Sequence, residues 1–455
     1  MDVWAQWAVE MVKGLPALLI HPLTYVLLII IALLWRWQIN RQRRLFGTRL
    51  HTVGEGVLHS LAYGLASGLL ASMLLFVLGA VYSPEAIMYL WLIALVLSCI
   101  HVRYLCFAYA GSLLAVFVLA ARFFSFESGM GWLDELWAAL STIHLPSLFA
   151  LVAVLHLAEG FMIRRAKNRL SQPIYVQGKR GRLVGGYDMQ YIWFVPLFLL
   201  SEGGQASLPP LFEGWPLFSA SLPYLSVLCF PAVSVYMEQT VSSTPKQKAG
   251  RTSLWFILYG LLLLLLSYAA VYVEELLIAT ILFTCLGHAA HGWFSRYQER
   301  KSAPLFIHPV DGLKVLTVIP GTPAEEMGLQ SGEVILKANG MPVRRRKQLY
   351  AALARNRAFC KLEVRNENGE QRFLNRSLYE SDHHELGIVL VPDSEVPYYL
   401  EGQNINLWRL LGQQTGKKRP LSAGMIDKGA GDGQRPETED KNDRPLFPAD
   451  QHKNV

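Results

Sequence analysis

Residues Gly312 to Val343 read GLKVLTVIPGTPAEEMGLQSGEVILKANGMPV, and their interpretation governs how the rest of the chain is read. Leu313 to Ile319 is a β-rich run that ends in the turn pair Pro320-Gly321. A short helix is expected next. Thr322 is a capping residue, Pro323 suits the first helical position, and Glu325 completes a Thr-x-x-Glu capping box. Gly328 fits the left-handed residue that closes a helix. Ser331-Gly332 turns the chain into a second strand, Glu333 to Ala338, and Asn339-Gly340 is a tight-turn dipeptide. A longer helix is expected over Lys347 to Asn356, with Leu349 and Leu353 on one face.

These pieces resemble a bacterial PDZ domain. The likeness rests on Val318-Ile319-Pro320-Gly321-Thr322-Pro323-Ala324, Met327-Gly328-Leu329, Gly332-Glu333-Val334-Ile335 and Asn339-Gly340, in that order and spacing. The resemblance implies a small β-barrel or sandwich with two helices, over residues 304–395, that binds an extended peptide or a free C-terminus as an added strand. Leu349 and Leu353 are the expected helix contacts. The carboxylate-binding turn has an apolar-Gly-apolar form in such domains, and two places fit: Leu386-Gly387-Ile388 and Gly312-Leu313. Each of these residues also reads as ordinary core or turn.

The remainder is dominated by apolar blocks. Of 455 residues 52% are hydrophobic and 17% charged, which excludes an ordinary soluble protein of this size and points to a polytopic helical membrane domain over residues 1–300. The net charge of +7 sits in loops flanking apolar runs, and no aromatic-basic interleaving suggests a nucleic-acid surface. The five cysteines, Cys99, Cys106, Cys229, Cys285 and Cys360, are scattered without a CxxC pair, so they read as small buried residues. Residues 396–455 are poor in apolar residues and read as a mostly disordered tail, apart from a short amphipathic piece at Asn406 to Gln413.

Spans are expected over about Leu15–Trp35, Leu61–Tyr82, Ala86–Ile100, Tyr104–Ala121, Ile143–Ile163, Leu217–Tyr236, Leu254–Ala270 and Val271–Trp293, with Met189–Leu200 as a ninth, shorter candidate. Charge bears on the ninth. Arg36 to Arg49, Arg103, Arg164 to Arg182, Lys246 to Arg251 and Arg296 to Lys301 fall on one side only if Met189–Leu200 changes sides. The opposite side then carries little more than Lys13 and Arg122 among several acids. Nine crossings are therefore expected, or eight without that segment, with the N-terminus outside and the PDZ-like module cytoplasmic.

Chemistry is harder to find. The His-Glu-x-x-His pattern of intramembrane zinc proteases is absent. Its nearest pieces are His156-Leu-Ala-Glu159 and His288-Ala-Ala-His291, each pair sharing a helix face. They read either as four ligands of a metalloprotease-like site or, more plainly, as intramembrane polar contacts. No catalytic, metal-binding or cofactor-binding residue is assigned, and no enzymatic activity is expected.

The whole arrangement resembles the MinJ family of cell-division topological determinants. The specific parts are Leu155 to Gly160, Leu286-Gly287-His288 and His383 to Asp393, although Ala289 stands where a glutamate is expected and the charged tail is long. The resemblance implies a membrane adaptor at septa and poles of Gram-positive cells. It would link a DivIVA-like scaffold to a MinD-like ATPase of the Min system. The alternative expectation is a metalloprotease-like or processing-regulator protein gated by the PDZ module.

Overall fold

The computed structural model describes residues 3–124, 128–166, 171–179, 181–206, 210–218, 225–379, 386–393 and 399. The expected disordered tail, the Asn406–Gln413 segment and the stretch His383-His384-Glu385 lie outside the described residues. The chain opens with α1 (Val3–Ile20), α2 (Pro22–Phe46), α3 (Val53–Leu78), β1 (Val81–Tyr82), α4 (Pro84–Ile100), a 3-10 turn (Val102–Leu105), α5 (Phe107–Phe123), α6 (Gly131–Thr142) and α7 (Leu145–Ala166). Three strands follow: β2 (Gln172–Gln177), β3 (Leu183–Ala206) and β4 (Leu225–Thr240). Then come α8 (Pro245–Tyr272) and α9 (Leu276–Lys301).

Among the described residues five helices, α2, α3, α7, α8 and α9, are long and apolar enough to cross a membrane. The expected first span does not begin at Leu15. Pro22 cannot donate to the preceding turn, so the chain breaks at His21, whose Nδ1 accepts the Leu23 amide, and a new helix starts. Of the apolar stretch of α7, 83% is buried, against 33% in α8 and α9, so α7 is the central helix and the others form its shell. Leu65, Leu69 and Met73 of α3, Leu92 and Val96 of α4, Leu258 and Leu262 of α8, and Leu282 and Leu286 of α9 are exposed on that shell, an apolar surface suited to lipid.

Two expected spans are strands instead. Met189–Leu200 and most of Leu217–Tyr236 form a long antiparallel hairpin, with Tyr187 opposite Thr240 at one end and Glu202 opposite Leu225 at the other. A twelve-residue apolar run reads alike as buried helix and buried strand, but Tyr191-Ile192-Trp193-Phe194-Val195 is the aromatic and β-branched composition that strands favour. The second edge of β3 is covered piecewise. β2 pairs with Leu183 to Asp188, and β1 pairs in parallel with Leu200 and Ser201.

Between these, α3 lies along the strand. Four helical residues advance about 6 Å and two strand residues slightly more. Gly64, Gly68 and Ser72 therefore face Phe194, Pro196 and Phe198 in turn. A Cβ at Gly64 or Gly68 would overlap the carbonyl oxygen of Phe194 or Pro196. Ser72 Oγ accepts the Phe198 amide at 2.9 Å, Gln38 Nε2 donates to the Gln190 carbonyl at 2.9 Å, and Pro196 has no amide to satisfy. A buried ion pair, Arg41 with Asp188, fastens α2 to the end of β3 nearest the basic loops.

The C-terminal module comprises β5 (Leu313–Val318), α10 (Pro323–Glu326), β6 (Val334–Ala338), β7 (Met341–Pro342), α11 (Arg346–Arg355), β8 (Phe359–Arg365), β9 (Gln371–Ser377) and β10 (Ile388–Leu390). Its sheet runs β10-β5-β6-β8-β9, with β7 paired to β6. Gly328 and the Asn339-Gly340 turn take the positive φ expected of them. The expected capping box is rearranged: Thr322 Oγ1 donates to the Ile319 carbonyl at 2.6 Å, and Glu325 Oε2 accepts the Gly321 amide at 2.7 Å.

Candidate functional site

The module's sheet ends in β10, an edge strand among the described residues. Ile388 pairs with Val318, Val389 with Thr317 and Leu390 with Val315. The Gly387 carbonyl accepts the Ile319 amide at 2.8 Å, and the Val391 amide donates to the Lys314 carbonyl at 2.8 Å. By the alternation of a strand, the backbone groups of Ile388 and Leu390 then face outward, where a further strand can pair. The turn before β10 is made by Leu386 (φ 52°) and Gly387 (φ 76°), both left-handed. At Gly387 any side chain would overlap Thr322.

The side chains of Leu349, Leu353, Leu386, Ile388 and Leu390 belong to the one apolar cluster that forms the module's core. Gly312 and Leu313 are placed differently. Gly312 (φ 89°) leads into β5, and Leu313 pairs with Ile335 on an interior strand. Of the two candidate turns, only Leu386-Gly387-Ile388 adjoins a sheet edge.

The opposite face of the sheet is docked on the membrane domain. Leu316, Val389 and Val391 pack with Tyr175, Tyr187 and Phe306. Tyr187 donates to the Leu316 carbonyl, and Tyr175 donates to the Leu390 carbonyl at 2.7 Å. Lys314 Nζ donates to the Leu305 carbonyl at 2.9 Å, and burial pushes its ammonium below the usual lysine range, partly offset by Glu367. A cleft of about 760 Å³ lies at this seam, lined among others by His51, Tyr187 and Lys246 on one side and Thr317, Glu333 and Arg372 on the other. Arg372 Nη1 donates to the buried Glu333 carboxylate at 2.6 Å.

The four polar residues of the spans do not form one site. His156 and His288 meet, with ring centroids 5.2 Å apart. His291 turns instead to Glu238, 3.2 Å away, within a network that also takes Thr252 and Ser295. The third group beside the two imidazoles is Cys106, which the reading of the cysteines as small buried residues passed over. Sequence separations of 50 and 182 residues give no spacing signal by which it could have been found.

Apolar spans with a docked module of this architecture define a polytopic membrane protein carrying a PDZ domain, and the PDZ domain family matches residues 314–366. Over most of its length the chain resembles MinJ. It is 29% identical over 393 residues to the cell division topological determinant MinJ of Bacillus subtilis (strain 168), covering 85% of this chain and 96% of that one. It is 26% identical over 270 residues to a protein of Lacticaseibacillus paracasei named as a probable cell division topological determinant MinJ, covering 56% of this chain and 68% of that one. No solved structure matches the chain.

Proposed function

We propose that this chain is a non-catalytic membrane adaptor of division-site selection that recruits partners by strand addition to its PDZ domain. The observation that carries the reading is that β10 is an edge strand among the described residues and that its Ile388 shares an apolar cluster with Leu349 and Leu353 of α11. An incoming C-terminus would place its carboxylate at Leu386-Gly387-Ile388 and its last apolar side chain against Leu349 and Leu353. The basic loops support a cytoplasmic PDZ domain and an N-terminus outside. Confinement to the membrane plane raises the effective concentration toward other membrane-bound partners, so weak groove contacts suffice. The resemblance to MinJ favours a MinD-like ATPase and a DivIVA-like scaffold as partners, and enrichment at septa and poles.

The test is the position of a C-terminal fluorescent fusion in live dividing cells. Three forms are compared: the full chain, the chain lacking residues 304–455, and Ile388→Pro, which removes one outward amide without touching the β5 pairing. Septal and polar enrichment that is lost in both altered forms supports the reading. A uniform membrane signal with normal division sinks it.

A further inference from the structure

Three helices meet at one point inside the bundle. Cys106 immediately precedes α5, His156 lies midway along α7, and His288 lies midway along α9. The thiol sulfur is 3.5 Å from His156 Nε2 and 3.5 Å from His288 Nε2, and all three atoms lie within 4.8 Å of one another. Zinc held tetrahedrally by a thiolate at about 2.3 Å and an imidazole at about 2.0–2.1 Å sets sulfur and nitrogen roughly 3.6 Å apart. The two sulfur–nitrogen separations already match that value.

Proton bookkeeping points the same way. His156 Nδ1 lies 2.7 Å from the Val152 carbonyl, which only accepts, so the ring proton sits on Nδ1 and Nε2 carries a lone pair. That is the usual outer contact of a metal-bound histidine. The thiol has one proton and faces two imidazole nitrogens, so it can donate to only one of them. His288 Nδ1 is buried without a hydrogen bond, as is Glu159 Oε1 one turn beyond His156. Tyr109, Phe256 and Tyr259 pack edge-on or tilted against the two imidazoles and limit their rotation.

We propose that Cys106, His156 and His288 form a zinc site that ties α5, α7 and α9 together. On binding, the S–H bond breaks, its proton leaves to solvent, and a sulfur lone pair makes the Zn–S bond. Both imidazoles coordinate through Nε2, and nothing is oxidised or reduced. A separate polar network lies beside the site. Glu299 pairs with Lys248 at 3.2 Å, Lys248 Nζ reaches Ser295 Oγ at 2.7 Å, Ser295 Oγ donates to Glu238 at 2.5 Å, and Glu238 contacts His291, one turn from His288. The three ligands belong to the membrane domain and are independent of the PDZ domain's edge strand.

The experiment uses the full chain purified in detergent without chelator. Metal content is measured by mass spectrometry, and the chelated protein is titrated with cobalt(II). The expected result is about one zinc per chain and, with cobalt, a thiolate-to-metal charge-transfer band. Cys106→Ser should abolish the band, and His288→Ala should weaken metal retention by about 10-fold or more, whereas His291→Ala should retain both. The wild-type band needs no variant to fold, so the proposal stays testable if the substitutions destabilise the protein. A metal-free chain that gives no thiolate band with cobalt overturns it. So does zinc that persists unchanged in Cys106→Ser and His288→Ala, as an ion held elsewhere would.

Discussion

The hydroxyl of Tyr175 donates to the carbonyl of Leu390 over 2.7 Å, joining a strand of the membrane domain to the outward edge of β10 in the PDZ domain. Tyr175 thus holds one acceptor that an added peptide strand would use. Tyr175→Phe removes the hydroxyl and keeps the ring. Loss of a hydrogen bond of about 1 kcal/mol converts to roughly fivefold tighter binding of a C-terminal peptide. The check is a peptide titration of wild type and variant. Weaker binding in the variant would mean that Tyr175 belongs to the groove rather than competing with the ligand.

Gly64 and Gly68 face strand backbone, whereas Gly54, near the start of the same helix, faces open space. Gly64→Ala or Gly68→Ala should destabilise the membrane domain by at least about 1–3 kcal/mol, the range for overpacking. Gly54→Ala should leave it unchanged or raise stability by up to about 1 kcal/mol through helix propensity. Thermal unfolding in detergent separates the two outcomes.

Arg41 and Asp188 are both almost wholly buried. Removing one partner leaves the other charge in the interior, so Arg41→Met and Asp188→Leu should each cost about 3–5 kcal/mol. The double variant should recover much of that loss, because neither charge is then stranded. A double variant no better than the singles would show that the pair also holds α2 against β3 by shape.

At the opposite end, Asp134 of α6 accepts the Ser128 amide and hydroxyl, each at 2.8 Å. The amide bond first, then the hydroxyl bond, holds its carboxyl below the usual range. A carboxyl depressed in the folded state stabilises the turn fully above its unfolded pKa of about 3.9, and that contribution is lost as pH falls through the lower folded value. Amide exchange around Ser128 should therefore quicken only below about pH 4. In Asp134→Asn the pH step should vanish.

Much of the PDZ domain was legible because its signals are local: Pro323 at a helix start, positive φ at Gly328, the Asn339-Gly340 turn. The strand character of Met189–Leu200 was not. A strand buried on both faces shows no alternation, and its length matched a short span. Loop charges favoured a change of side there; β3 runs from Tyr187, against the PDZ domain, to Leu200, against β1. Cys106 was illegible for a different reason, since only the packing of three helices brings it to His156 and His288.

The covering of β3 has a consequence for biogenesis. A lone strand leaving the insertion machinery would expose the outward groups of Gln190, Phe194 and Phe198 to hydrocarbon on one edge, and every β4-facing group on the other. Gln38, Gly64, Gly68 and Ser72 are synthesised first, so α2 and α3 are already waiting when β3 emerges. β4 follows only after the intervening loop. In hydrocarbon such a hairpin needs shelter until its second strand is made.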